Sequence, residues 1–178
     1  MEDCAESILN TEFNRINFMQ KLRILMVCMG NICRSPMAHG VFARRLRDAG
    51  LEHVIEVDSA GTHGYHVGEP PDRRAQVTAR ARGYELSDLR ARRLEEQDFR
   101  EFDYVLVMDE DNLHHARALQ PDDGKARLHR FLEFAGTRRE REVPDPYYGG
   151  AQGFERVLDL VEDAADGFLS HLRERHRL

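Results

Sequence analysis

The sequence predicts an α/β fold, a three-layer α/β/α sandwich around a central four-stranded parallel sheet. Short, continuously apolar runs of strand length alternate along the chain with amphipathic helical patterns. Such strand–helix–strand units are right-handed, and their helices cover both faces of a parallel sheet. A chain of 178 residues is long enough for one domain with a proper core.

The first strand is predicted over Arg23–Val27, a short apolar run. Ser35-Pro36 opens a helix, because serine is a good N-cap and proline is tolerated in the first turn, and Gly50 ends this helix. The other predicted elements are a strand over Ile55–Ser59, a loop over Thr62–Asp72, a helix from Asp72 to Arg82, a short helix around Glu95–Phe99, a strand over Tyr104–Met108, a helix capped by Asp109 and ending at Leu119, a weak strand over Arg127–His129, and a long amphipathic helix from Gln152 to Arg175.

Composition narrows the class of function. The net charge of −6 argues against a general affinity for nucleic acid, which depends on cationic side chains that neutralise phosphates. No apolar run approaches the roughly 20 residues that a membrane span needs, so no membrane association is expected. Residues 1–20 lack a secretory signal and are predicted to form a flexible N-terminal extension, which favours a cytoplasmic protein.

The segment from Cys28 to Ser35 has the features of an anion-binding loop. Cys28 follows an apolar strand and Arg34 precedes a helix, so backbone N–H groups between them can surround an anion. Gly30 and Asn31 are residue types that accept positive φ, which a tight loop needs. Arg34 supplies a planar fork that matches two phosphate oxygens.

Cys28 lies where the helix dipole, the loop N–H groups and Arg34 favour the thiolate, the nucleophilic form. The Ser35 hydroxyl can cap the helix or donate to the Cys28 sulfur. The spacing between cysteine and arginine is weak evidence by itself in an arginine-rich chain. The alternative interpretation is a buried cysteine at a strand end, beside an ordinary helix cap.

The run V-C-M-G-N-I-C-R-S-P-M-A, from Val27 to Ala38, resembles the phosphate loop of low-molecular-weight protein-tyrosine phosphatases. The resemblance covers roughly residues 22–175. It implies that residues 21–178 form a phosphatase domain. It also implies that the protein is a metal-independent hydrolase that needs no cofactor. The further segments that carry the resemblance are Val57–Thr62, Pro70–Ala75, Phe102–Leu113 and Asp145–Gly149.

The resemblance also implies roles for individual residues. It implies that Asp145 is the general acid and base. Without the resemblance, the sequence does not indicate which of its 32 acidic residues has this role. Ser59 supports the loop, and Asp88 stands where the family often has a supporting histidine, so that a carboxylate near the loop would disfavour the thiolate. The residues implied to bind phosphate or substrate are Met29, Gly30, Asn31, Ile32, Cys33 and Ser35 in the loop and Tyr65, Tyr147 and Tyr148 at the pocket entrance.

Several alternatives remain at this point. Cys33 is either a redox partner of Cys28, as the resemblance implies, or a small buried apolar residue. Arsenate reductases share the scaffold but need later cysteines, and none follows Cys33. Protein-arginine phosphatases tend to have threonine where this chain has Ile32. A non-catalytic phosphotyrosine-binding module would need neither the thiolate nor the acid.

The substrate that the resemblance implies is a phosphotyrosine-containing protein, with a tyrosine kinase as one example. Phosphate or another oxyanion is expected to occupy the site.

Overall fold

The computed structural model describes residues 20–136 and 138–178 and confirms the predicted α/β/α sandwich. Except for Gln20, the predicted N-terminal extension lies outside the described residues. The elements in chain order are β1 (Leu22–Cys28), α1 (Arg34–Asp48), β2 (Ile55–Gly61), α2 (Arg73–Ala81), the one-turn helix α3 (Asp98–Glu101), β3 (Tyr104–Val107), α4 (Glu110–Leu119), β4 (Arg127–Arg130), a 3₁₀ turn (Phe131–Phe134) and α5 (Ala151–His176).

The four strands form one parallel sheet in the order β2-β1-β3-β4. Val27, near the end of β1, is paired with Ala60 of β2 and with Val107 of β3. Because side chains of a strand alternate between the two faces, neighbours along β1 belong to different cores. Ile24 and Met26 enter one core and Leu25 and Val27 enter the other, which explains why β1 is apolar throughout.

The larger core lies between the sheet and helices α1, α2 and α5. Phe42 of α1 packs against Phe168 of α5, with ring centroids 5.4 Å apart. The predicted apolar stripe of α5 is fully buried at Phe154, Val157 and Phe168. The opposite core is smaller and holds α3 and α4, through residues such as Phe99. The helices therefore fix the sheet from both sides.

Most predicted boundaries agree with the structure to within two residues, but α1 begins earlier than expected. It starts at Arg34, its N-cap residue is Cys33, and no side chain caps it. Ser35 thus lies inside the first turn, and the prediction that it is the N-cap was wrong. The short helix α3 also lies later than predicted, at Asp98–Glu101 instead of Glu95–Phe99.

The carboxyl ends of β1 and β3 carry the segments that form the site. The loop 29–33 follows β1, and Asp109 follows β3. The irregular segment before α5 returns to the same edge, where the Val143 N–H donates to the Met108 carbonyl at 2.8 Å. Distant parts of the sequence thereby meet at one edge of the sheet. Among the described residues, no helix is both long enough and apolar enough to cross a membrane.

Candidate active site

A pocket of about 240 Å³ opens at the carboxyl end of β1. It brings the predicted nucleophile and the predicted arginine, which are six residues apart, together with the predicted acid, which lies more than 100 residues further along the chain. The lining residues are Cys28, Met29, Gly30, Ile32, Cys33, Arg34, Tyr65, His66, Asp145, Tyr147 and Tyr148. Of these, only His66 was not predicted from the sequence.

The Cys28 sulfur receives two close polar contacts from its own loop. The Asn31 N–H donates to Sγ at 3.3 Å, and the Ser35 hydroxyl lies 3.1 Å from Sγ. Asn31 has a φ of 56°, so the predicted left-handed residue of the loop is this asparagine. Gly30 does not have positive φ, contrary to expectation. It lies close to His66, because a Cβ added at Gly30 would be 3.2 Å from His66 Cδ2.

Asn31 fixes the shape of the loop through both ends of its side-chain amide. Its Nδ2 donates to Ser35 Oγ at 2.8 Å, and its Oδ1 accepts from the Arg92 backbone N–H at 3.0 Å. The Arg92 guanidinium is held in turn by Asp58 and Asp98. Since Asn31 is only 2% exposed, these bonds satisfy a buried amide and orient Ser35 toward the sulfur.

Ser59 is buried near the carboxyl end of β2. Its hydroxyl lies 3.3 Å from Nδ1 of His39, which stands one helical turn after Ser35 on α1. Burial lowers the pKa of His39 below its ordinary value of 6.5, against the opposing effect of Asp58. Asp88, in contrast, is exposed and forms none of the described hydrogen bonds with the loop. The imidazole that contacts Ser59 therefore comes from α1.

Arg34 is almost completely buried, and its guanidinium is held from several directions. Nη1 donates to Asp109 Oδ2 and to the Val143 carbonyl at 3.1 Å, and Nη2 lies 3.6 Å from Asp145 Oδ2. Burial lowers the pKa of Arg34, but the negative charges of Cys28, Asp109 and Asp145 more than offset this and raise it above its ordinary value. The pocket therefore has a permanent, oriented cation beside Cys28.

Asp145 and the tyrosines form the outer part of the pocket. The Asp145 carboxylate accepts from the Tyr147 N–H at 3.1 Å. The rings of Tyr147 and Tyr148 are 5.0 Å apart and nearly perpendicular, and Tyr148 is 95% exposed. Tyr65 is 70% exposed and stacks on His63. A flat aromatic group entering the pocket would pass between these side chains.

Comparison with known proteins identifies the family. A sequence profile described as low molecular weight phosphotyrosine protein phosphatase matches residues 23–178. The chain belongs to this family. A low molecular weight protein-tyrosine-phosphatase of Streptomyces coelicolor is 46% identical over 156 residues, which are 86% of this chain and 94% of the relative. Protein-tyrosine phosphatases are hydrolases, so the chain is an enzyme of this class.

Solved structures of low molecular weight phosphatases have the same fold. The protein tyrosine phosphatase from Entamoeba histolytica, crystallised with Hepes in the active site, superposes with a TM-score of 0.83. It is 38% identical, and the match covers 89% of this chain and 100% of that one. A Drosophila arginine phosphatase is also similar, with a TM-score of 0.79, 29% identity, and coverage of 85% of this chain and 98% of that one. The fold alone therefore does not distinguish tyrosine phosphatases from arginine phosphatases.

Asp109 and His66 belong to the candidate site but were missed by sequence reasoning. Asp109 was predicted only as a helix cap, although it also binds Arg34. His66 lines the pocket, and its Nδ1 lies 2.8 Å from Glu69 Oε2. Its position in a glycine-rich loop with no regular pattern carried no signal. Both roles depend on contacts between segments that are far apart in the sequence.

Proposed function

We propose that this enzyme hydrolyses phosphotyrosine in proteins through a phosphocysteine intermediate on Cys28. The observation that supports this best is the shared pocket of Cys28, Arg34 and Asp145, with Arg34 Nη2 only 3.6 Å from Asp145 Oδ2. A nucleophile, a cation for the phosphoryl oxygens and a carboxyl group for proton transfer are what metal-independent phosphoryl transfer requires.

In the first step, the Cys28 thiolate attacks phosphorus and forms the S–P bond while the P–O bond to the phenol breaks. The electron pair of that bond goes to the phenol oxygen, which takes the proton of Asp145. Arg34 and the backbone N–H groups of residues 29–35 stabilise the charge on the remaining phosphoryl oxygens. In the second step, Asp145 takes a proton from water, the water oxygen attacks phosphorus, and the S–P bond breaks to release phosphate and the thiolate.

The aromatic entrance supports phosphotyrosine rather than phosphoserine. Cys28 is 2% exposed at the bottom of the pocket, whereas Tyr65, Tyr147 and Tyr148 stand at the rim. A phosphate on a phenol ring reaches further from the peptide backbone than one on a serine, and its ring can stack between tyrosines. We expect protein substrates of this class, a tyrosine kinase being one example.

Phosphoarginine is the second candidate substrate, because an arginine phosphatase shares the fold. The residue that bears on this choice is Ile32, which lines the pocket and is 8% exposed. Its side chain is apolar and cannot hydrogen-bond to a guanidinium N–H, which favours the phenyl ring of phosphotyrosine. An arsenate reductase would need relay thiols, and no cysteine follows Cys33.

The proposed function is tested with aryl phosphates and no added metal, comparing the wild type with Cys28→Ser and Asp145→Asn. We expect no measurable turnover for Cys28→Ser and a loss of about 10²–10⁴-fold for Asp145→Asn on a substrate with a poor leaving group. Full activity of the serine variant would exclude the mechanism. A higher kcat/KM for a phosphoarginine peptide than for its phosphotyrosine counterpart would transfer the assignment to arginine phosphatases.

A further inference from the structure

The segment that carries Asp145 has little structure of its own. Residues 144–149 form neither a helix nor a strand. Within the described part of the chain, they accept one hydrogen bond from a side chain outside the segment, donated by Arg74 Nη1 to the Tyr147 carbonyl at 3.0 Å. General acid catalysis depends on an accurately placed carboxyl group, so an irregular segment needs an external support.

Arg74 itself is fixed by Asp72. Its Nε and Nη2 donate to the two carboxylate oxygens of Asp72, at 3.0 and 2.9 Å, which leaves Nη1 directed at Tyr147. This bidentate pair is reinforced because Asp72 is the N-cap of α2 and accepts from the Arg74 backbone N–H at 2.8 Å. The hydrogen bonds from Arg74 lower the pKa of Asp72 below its ordinary value, so that carboxylate stays charged.

Asp72 is also joined to the phosphate loop. Its backbone N–H donates to the Ile32 carbonyl at 2.8 Å. At the other end, the Tyr147 residue that accepts from Arg74 donates its own N–H to Asp145 Oδ1 at 3.1 Å. A continuous chain of hydrogen bonds therefore runs from the proposed phosphate-binding loop to the carboxylate that would move the proton.

The guanidinium group of Arg74 also lies over two aromatic rings. The guanidinium carbon lies 4.9 Å from the ring centroid of Phe154 on α5 and 5.4 Å from that of Tyr147. Both distances are within the range of cation–π interactions. The planar group therefore has a defined orientation although its side chain is 44% exposed. A lysine could not reproduce the pair to Asp72 and the bond to Tyr147 at the same time.

We propose that Arg74 is a positioning residue that holds the segment of Asp145 at a fixed distance from the phosphate loop. It does not touch the reacting atoms but acts through Tyr147 and Asp145. This inference rests on the proposed function, because it assigns Arg74 to the proton-transfer part of that mechanism. The expected consequence is specific: loss of Arg74 impairs substrates that need a protonated leaving group and spares those that do not.

The test uses Arg74→Lys and Arg74→Met, with Arg73→Met as the matched control, since Arg73 is exposed on the same turn of α2. The measured quantity is kcat/KM for phenyl phosphate, a poor leaving group, and for 4-nitrophenyl phosphate, a good one. For both Arg74 variants we expect a loss of roughly 10-fold with phenyl phosphate and less than about 2-fold with the nitrophenyl ester. Equal losses on both substrates would overturn the proposal.

A double-mutant cycle shows whether Arg74 acts through Asp145. If it does, Arg74→Met causes no further loss of kcat/KM for phenyl phosphate once Asp145 is replaced by asparagine. Losses that multiply in the double variant would instead indicate an independent structural effect and contradict the proposal. Thermal unfolding of each variant identifies any that is not folded. A fully active Cys28→Ser variant would refute the proposed function itself, a result distinct from every outcome for Arg74.

Discussion

Asp109 uses its two carboxylate oxygens for two different purposes. Oδ1 accepts from the Asn112 N–H at 2.7 Å and caps α4, while Oδ2 accepts from Arg34. Capping requires only a short polar acceptor, whereas the bond to Arg34 also uses the negative charge. The two contributions can therefore be separated by substitution.

We expect Asp109→Asn to keep the cap and weaken phosphate binding. Asparagine is as good an N-cap as aspartate, but its neutral amide no longer holds the Arg34 guanidinium in place. The competitive inhibition constant of inorganic phosphate is expected to rise roughly 10-fold or more, which corresponds to the 1.5–3 kcal/mol typical of a hydrogen bond to a charged group. An unchanged inhibition constant would show that Asp109 is only a cap.

Asp109→Ala serves as the comparison, because it removes the cap as well. This variant is expected to lose about 0.5–2 kcal/mol of unfolding free energy, measured by denaturant titration, in addition to the weaker phosphate binding. If alanine and asparagine destabilise the protein equally, the cap contributes nothing measurable.

Within α5, replacing each of two glycines with alanine is expected to change the stability of the protein in opposite directions. A Cβ at Gly167 would overlap the Phe134 carbonyl oxygen, so the helix contacts the 3₁₀ turn with no room for a side chain. A Cβ at Gly153 would have its nearest contact at 3.4 Å, with Pro146 Cβ. Gly167 is therefore required by packing, and Gly153 is not.

Gly167→Ala is expected to lower the free energy of unfolding by about 1–3 kcal/mol or more, because backbone must move to relieve the overlap. Gly153→Ala is expected to raise it by up to about 1 kcal/mol, since alanine is the better helix former. Urea or guanidinium titration measures both. A stable Gly167→Ala protein would mean that α5 can shift away from the 3₁₀ turn.

The elements were predictable from sequence because their signals are local. The apolar run at Ile24–Val27, the Asp72 cap and the stripe of α5 are each formed by residues close in sequence. The site was predictable only where a motif marked it, as for Cys28 and Arg34. The second partner of Asp109 and the bond from Arg74 to Tyr147 join segments 73 or more residues apart. No local sequence pattern predicts such contacts.

The whole molecule explains why one edge of the sheet carries the site. The chain moves from β1 outward to β2 and then returns to the other side of β1 with β3 and β4. The connection after β1 runs toward β2 and the connection after β3 runs the other way, toward β4, which opens a crevice between the carboxyl ends of β1 and β3. Cys28 ends β1, and Asp109 follows the neighbouring strand β3. The loop 29–33, the proposed phosphate-binding loop, occupies the crevice that the topology creates.

The stability of the whole molecule is expected to fall as the pH drops below about 6.5. Burial lowers the pKa of His39 and of His171, the latter with help from the charge of Arg175. Since these pKa values are lower in the folded state, the unfolded chain binds protons first, and acid favours unfolding. Stability from these groups is complete above the unfolded value of 6.5 and is lost as pH falls toward the folded values.

The measurement is the unfolding free energy at pH 7.5, 6.5 and 5.5, for the wild type and for His39→Gln and His171→Gln. Each variant is expected to show a shallower decline over this range, because one of the neutral imidazoles is gone. Carboxylates with lowered pKa values, such as Asp72, lose their contribution only at more acidic pH, near and below their ordinary value of 3.8. The two ranges therefore separate the histidines from the acids. A wild-type stability that rises between pH 7.5 and 5.5 would contradict the inference that the partly buried imidazoles of His39 and His171 have lowered pKa values.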